Sequence, residues 1–330
     1  MIFQTVKMFW RPKGAYLMIG LVLCSVFVAN IVILTGAANR CAKLVQYADC
    51  SSIVVSLATF GVRTFNIKEV LLSLMRQTVT PDMIVVHVSL QSRTENISKH
   101  ELYSFFDHNF GPCKQLLSGW IQCRNGLVVI TGVDYGPATK VLGTLLLPDL
   151  DGDSCIVSVD DDMIYDPNMV KTLSVRAPVD GSLGFSCEEV SWALNLVHTF
   201  HPGIMFWRVT NGASSWQYPF DDVLECKGWL HGYQGIIYRR KFFDSDVFDM
   251  QQSMPRGCFY HDDVRLAGYL WRRGIKRYVY PHFVHGGVVG WGGSEPFYHM
   301  EKNASNALSR ISNTMAKYQW PCIQYFDQFK

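Results

Sequence analysis

Two hydrophobic periods take turns along this chain. Ile53–Leu57 is a short apolar run that reads as a strand, and Ala58–Arg63 reads as a loop. Phe65–Gln77 carries Val70, Leu71, Leu74 and Met75 at helical spacing, and Pro81 precedes a second strand, Met83–Val88. A strand, a helix and a strand in that order predict a parallel pair. Residues 89–126 are polar and contain glycine and cysteine, with a helix expected near 99–107. Leu127–Thr131 is the next strand, and Pro137–Leu147 reads as a helix with Pro137 in its first turn. Cys155–Val159 is another buried strand. Strands alternating with helices predict an α/β fold around a mostly parallel sheet.

The second half follows a weaker pattern. Residues 185–235 are rich in Trp, Phe, Gly and His, which suits either a loop-rich aromatic pocket or an aromatic core. Phe259–Arg273 reads as a helix with His261, Asp262 and Asp263 in its first turn, where the helix dipole alone favours acids. Arg277–Phe283 is the last expected strand, and it leads into His282, His285, Gly286 and Gly287.

Ala15–Leu34 breaks both periods, with twenty residues and no charge. That length spans a bilayer. Lys7, Arg11 and Lys13 precede it without an acid, so the N-terminus is expected to stay cytosolic. A cleaved signal peptide would have an apolar region of about 7–15 residues, so an uncleaved signal anchor is the reading taken. The expected layout is a cytosolic tail 1–14, a transmembrane anchor 15–34, a stem 35–50 and a lumenal domain 51–330. Asn96 and Asn303 head glycosylation sequons, in mild agreement. A net charge of +2 gives no reason to expect nucleic acid.

Ten cysteines fit an oxidising compartment. Cys24 lies in the apolar span, which leaves an odd number outside it. Cys155, in a strand interior, is expected to be the unpaired thiol. Cys113 and Cys123 bracket a short segment and are candidates to close a loop, with the connectivity of the cysteines left open by the sequence.

The densest chemistry is Asp160-Asp161-Asp162 at the end of the Cys155–Val159 strand. Ligands of open α/β sheets bind outside the carboxyl ends of the strands. Carboxylates there suit a hard divalent cation that keeps sites for water and phosphate. A solvated acidic turn is the plain alternative for an isolated acidic triplet. Asp151-Gly152-Asp153 precedes the strand instead of ending it and reads as a polar turn.

Four segments in order carry a resemblance. They are VSLATFGVRTFNIKEVLLSLMRQTVTPDMIVVHVS at 55–89, DYGPATKVLG at 134–143 paired with SVDDDMIYDP at 158–167, WLHGYQGIIYRRKFF at 229–243 and HDDVRLAGYL at 261–270. Together they resemble a GT-A fold glycosyltransferase of the family-2-like kind, over residues 53–285. The resemblance implies transfer of a sugar from a nucleotide-diphosphate donor to a glycan, glycoprotein or glycolipid acceptor, with Mn²⁺ or Mg²⁺ as cofactor, in the Golgi or endoplasmic reticulum. Asp160 and Asp162 match the outer aspartates of the DxD motif and would hold the metal. Asp161 would face the donor sugar or ribose. Asp263, or its neighbour Asp262 where many members have glutamate, would be the general base of an inverting transfer. His282 or His285 would be a third metal ligand, with His285 preferred. Arg63, Thr59 and Lys140 would contact the donor, and Trp229, His231 and Gly232 would line the sugar or acceptor pocket. A nucleotidyltransferase and a non-catalytic sugar-binding protein on the same fold are the competing readings.

Overall fold

The computed structural model describes residues 45–90, 96–116, 118–188, 223–280, 289–290, 322 and 325. The anchor segment 15–34, the sequon at Asn303, and His282 and His285 lie outside the described residues. Among the described residues no helix is long and apolar enough to cross a membrane. The compact unit described below begins at Gln46.

The first half follows the periodicity. Strand β1 is Ile53–Phe60, and a 3-10 turn over Gly61–Asn66 leads into helix α1, Lys68–Met75. The first part of the expected loop, Ala58–Phe60, therefore extends β1, and its remainder joins the start of the expected helix in one tight turn. Gly61 enters it with a φ of 54°, which a side chain disfavours. Strand β2 is Met83–Ser89. Helix α2, Lys99–Phe110, starts on a capping box in which Ser98 and Glu101 satisfy each other's backbone N–H groups. Short strands β3, Lys114–Gln115, and β4, Ile121–Gln122, precede β5, Leu127–Thr131. The expected helix 137–147 is split into α3, Thr139–Leu142, and a 3-10 turn Thr144–Leu146. Gly143 sits at the break, and a Cβ there would lie 2.6 Å from the His87 ring.

Strand β6 is Cys155–Ser158, followed by β7, Met163–Ile164, and helix α4, Met169–Val175. Then come β8, Gly181–Gly184, β9, Cys187–Glu188, β10, Leu224–Glu225, β11, Trp229–Leu230, and β12, Ile236–Arg239. Helices α5, Asp246–Ser253, α6, Arg256–Phe259, and α7, Asp262–Arg272, lead to β13, Lys276–Val279, and β14, Val289–Gly290.

Among the described residues ten strands form one sheet in the order β10-β13-β8-β12-β6-β1-β2-β5-β4-β3. Its centre is parallel: β1 pairs with β2 and β6, and β2 pairs with β5. Strand β12 runs antiparallel between β6 and β8, and β8 pairs in parallel with β13. The fold is thus α/β with a large, mostly parallel central sheet. From β1 the chain moves outward to β2 and β5, then returns to place β6 on the other side of β1. The carboxyl ends of β1 and β6 are therefore a topological switch point, where doubly wound sheets open a crevice.

Four disulfides lace the unit. Cys113–Cys123 closes the expected loop, and Cys187–Cys226 and Cys258–Cys322 tie the second half. The fourth joins Cys50 to Cys155, so Cys155 is not the free thiol expected from its strand setting. Register explains this. Ile53 pairs with Cys155, and Cys50 lies on the lead-in to the neighbouring strand, with its Cα 5.5 Å away. Of the nine cysteines outside the apolar span, Cys41 is left, outside the described residues.

The lead-in is held by more than sulfur. Arg239 is buried, and its guanidinium donates to the carbonyls of Ala48, Asp49, Asp153, Ala177 and Pro178. The last residues of the expected stem therefore belong to the folded unit.

Candidate active site

Strand β1 ends in Thr59 and Phe60, and the turn beyond it carries Arg63. Strand β6 ends next to Asp160, Asp161 and Asp162. The parallel register brings these two ends side by side. Arg63 donates Nη2 to Asp161, and the same nitrogen lies 3.1 Å from Asp162 Oδ2. Arg63 also sits over the Phe60 ring, 5.5 Å from its centroid. Asp161 is the buried member of the triplet. Burial pushes its pKa up to about 6, against the Arg63 charge and the Thr59 hydroxyl. Asp162 is raised as well, by burial and then by the Asp160 charge. Asp160 is the most open, at 34% of its side chain, and its backbone N–H donates to the Tyr165 hydroxyl at 2.7 Å.

Lys140 joins this cluster to a second one. It lies on α3, and its Nζ is 2.5 Å from Asp160 Oδ1 and 2.9 Å from Asp262 Oδ2. Burial alone would lower its pKa; the Asp160, Asp262 and Asp263 charges outweigh that and hold it well above the ordinary lysine value. Asp262 and Asp263 open α7, as the sequence pattern predicts. Both oxygens of Asp263 accept from the Gly232 N–H, each at 3.1 Å. Part of Asp263 still reaches solvent although protein crowds it on all sides. Burial, and then the Asp262 charge, raises its pKa well above the carboxylate range, against Lys140. Gly232 is needed for this approach: a Cβ there would stand 2.8 Å from Asp263 Oδ1 and 2.9 Å from Lys140 Nζ.

Four carboxylates, Asp160 to Asp162 and Asp262, are thus in direct contact with two cations, Arg63 and Lys140, and Asp263 stands beside them on the Gly232 N–H. This excess of carboxylates at the sheet's switch point suits a divalent ion. Asp160 and Asp162 are the open pair. Each has one oxygen engaged by a protein cation, and a carboxylate can accept at both oxygens. Among the described residues no group of three or more metal-type side chains is assembled. One or two carboxylates with water and phosphate suffice for Mg²⁺-type binding, so the residues fit such an ion.

The remaining expected residues separate. Trp229 is 6% exposed and packs in the apolar core, the reading left open beside an aromatic pocket wall. His231 is half-buried, with its ring 5.8 Å from that of Tyr233. Thr59 is buried beside Asp161. Asp151 is a turn residue: its Oδ1 accepts from Ser51 Oγ and from the N–H groups of Asp153 and Ser154.

Three residues enter the site without having been expected. Phe60 is an exposed aromatic at the end of β1, and its signal was the strand running past Ala58. Tyr165 lies within the SVDDDMIYDP run, and nothing local announces that its hydroxyl turns back to Asp160. Tyr238 is buried on β12, where burial and then the Asp263 charge hold its phenol well above its ordinary pKa.

No known family profile matches the chain, and no curated protein does. Among solved structures it is similar to the apo structure of WbbM, a bifunctional glycosyltransferase, at 10% identity and a TM-score of 0.31. The match covers 71% of this chain and 36% of that one, so the chain spans about a third of the other protein's length. A likeness this distant decides nothing about function.

Proposed function

We propose that the chain is a metal-dependent glycosyltransferase that moves a sugar from a nucleotide-diphosphate donor to an acceptor hydroxyl. The observation that carries this reading is the convergence at one sheet switch point of an open acidic pair and a second acidic pair on a helix start. The first suits a metal–diphosphate complex and the second suits proton removal. Asp160 and Asp162 would hold Mn²⁺ or Mg²⁺, which when bound offsets the charge that develops on the leaving diphosphate. Phe60 offers a flat apolar face for the base, beside Arg63.

The proton belongs to Asp263. Its raised pKa suits a base working near neutrality, and the Gly232 N–H fixes its orientation. The acceptor oxygen attacks the anomeric carbon as its proton passes to a carboxylate oxygen of Asp263. The bond from that carbon to the diphosphate oxygen breaks, and its electron pair leaves with the diphosphate. One displacement inverts the anomeric centre. His285, or else His282, would be a third ligand for the ion. Four disulfides suit a lumenal setting behind the 15–34 anchor, in the Golgi or endoplasmic reticulum.

The test is release of nucleoside diphosphate from a panel of nucleotide-diphosphate sugars with Mn²⁺, with Mg²⁺ and with excess chelator. Release from at least one donor, lost in chelator and in Asp160→Asn, is the expected result. No metal-dependent release from any donor, with or without a panel of sugar acceptors, would sink the reading.

A further inference from the structure

We infer that Lys140 is the positioning residue of this site: its ammonium ties Asp160 to Asp262 and holds free divalent cations off Asp160 until a diphosphate accompanies them. The inference rests on the metal-dependent transferase reading. Its geometry is direct, with Nζ 2.5 Å from Asp160 Oδ1 and 2.9 Å from Asp262 Oδ2. The two carboxylates belong to different halves of the chain, one after β6 and one opening α7. A single buried ammonium is therefore the shortest link between the two acidic sets.

Lys140 is also held in place. Its carbonyl lies 2.9 Å from the Thr144 hydroxyl, which is 2.7 Å from Ser56 Oγ on β1 and 2.9 Å from His87 Nε2 on β2. All three partners are buried. Gly232 closes the other side, where a methyl group would lie 2.9 Å from Nζ. The ammonium has little room to swing away from Asp160.

A fixed cation there has a consequence for a second one. A divalent ion on Asp160 would share that carboxylate with a full positive charge, and like charges a few ångströms apart in a partly buried site repel strongly. A diphosphate brings negative charge that both cations can face, and the repulsion is relieved. An uncharged side chain that merely filled the space would not oppose the metal in this way.

The experiment measures Mn²⁺ binding by the electron paramagnetic resonance signal of free Mn²⁺, corrected for binding to nucleotide alone. Mn²⁺ is titrated by itself and with UDP or GDP into the wild type, Lys140→Met, Lys140→Arg and Asp160→Asn. The wild type should bind Mn²⁺ weakly alone and about tenfold or more tightly with nucleoside diphosphate. Lys140→Met should bind Mn²⁺ alone about tenfold more tightly than the wild type. Lys140→Arg should stay weak, and Asp160→Asn should not bind. Near-UV circular dichroism checks the fold, and if Lys140→Met fails to fold, tight binding of Mn²⁺ alone by Lys140→Arg overturns the inference by itself. Affinity in folded Lys140→Met no higher than in the wild type also overturns it and leaves the metal reading standing. Absence of Mn²⁺ binding by the wild type even with nucleotide overturns both.

Discussion

Replacing Asp263 with asparagine separates catalysis from stability, because the structure assigns the two effects opposite signs. Asparagine keeps an acceptor oxygen for the Gly232 N–H and nearly the same volume, so the local geometry survives. It cannot take the acceptor's proton. A general base contributes about 10²–10⁴-fold, or about 2.7–5.5 kcal/mol of barrier, and turnover should fall by that amount. Stability should move the other way. The folded-state pKa of Asp263 is raised, by burial and then by the Asp262 charge. The folded protein therefore binds this proton more tightly than the unfolded chain does. Stability from this group is present below the unfolded pKa and is lost as pH rises towards the folded one. Above the pKa of the unfolded carboxylate the group is a net cost to folding, and at neutral pH the variant should melt at the same temperature as the wild type or higher. If the acid served only the helix dipole, its loss would lower stability by about 0.3–1 kcal/mol and leave turnover alone. The assay is donor turnover against pH, with calorimetry on the same samples. The wild-type rate should rise with pH on an ionisation above the ordinary carboxylate range, and the variant should lack that limb. A variant that melts lower and turns over normally refutes the reasoning. Loss of turnover in Asp262→Asn alone would move the base by one residue.

Three further outcomes follow from the same structure. His87 is buried with its pKa lowered from 6.5 to about 4 by desolvation, so the unfolded chain takes up the proton first and stability falls as pH drops through that window. The loss is about 3 kcal/mol, read as denaturant midpoints from pH 7 to pH 4, and His87→Gln should flatten the slope; an unchanged slope would show that the ring titrates normally. Removing Cys50 and Cys155 together as alanines should cost about 2–5 kcal/mol of unfolding free energy, and an unchanged midpoint would mean that Arg239 and the strand register hold the lead-in without the bridge. Gly232→Ala should lower turnover by about tenfold to 10²-fold with the circular dichroism unchanged, because its methyl group displaces Asp263 and Lys140; normal turnover would show that their positions are not critical.

What the sequence reveals and what it hides divide along a physical line. The β1, β2, β5 and β6 strands are legible because parallel strands at the centre of a sheet are buried on both faces and read as unbroken apolar runs. The acid triplet is legible for the same reason, since it ends such a run. Strand β8 is Gly-Ser-Leu-Gly, which no propensity favours. It is a strand because of its neighbours: a Cβ on Gly181 would lie 2.7 Å from the Tyr278 ring, so glycine is what lets β13 pack alongside. Strand β12 hides within a segment whose aromatics and glycines mask its period, and its Arg239 looks like a surface charge until five carbonyls are found around it.

The same line runs through the site. Each acidic set can be read from its own strand end or helix start, because local backbone geometry puts the carboxylates there. The link between them cannot, because a lysine on a four-residue helix carries no local sign of its partners. Lys140, read from its motif, is a cation for a diphosphate; in the fold it is engaged by Asp160 and Asp262 before any ligand arrives. The site is therefore a balance of charges as much as a set of ligands. An acidic crevice of this kind binds a cation only in competition with the protein's own. Of the residues that tune that competition, Arg63 and the glycine at 232 lie in segments that pattern reading treats as loop, and Lys140 lies on an expected helix whose pattern gives no sign of its partners.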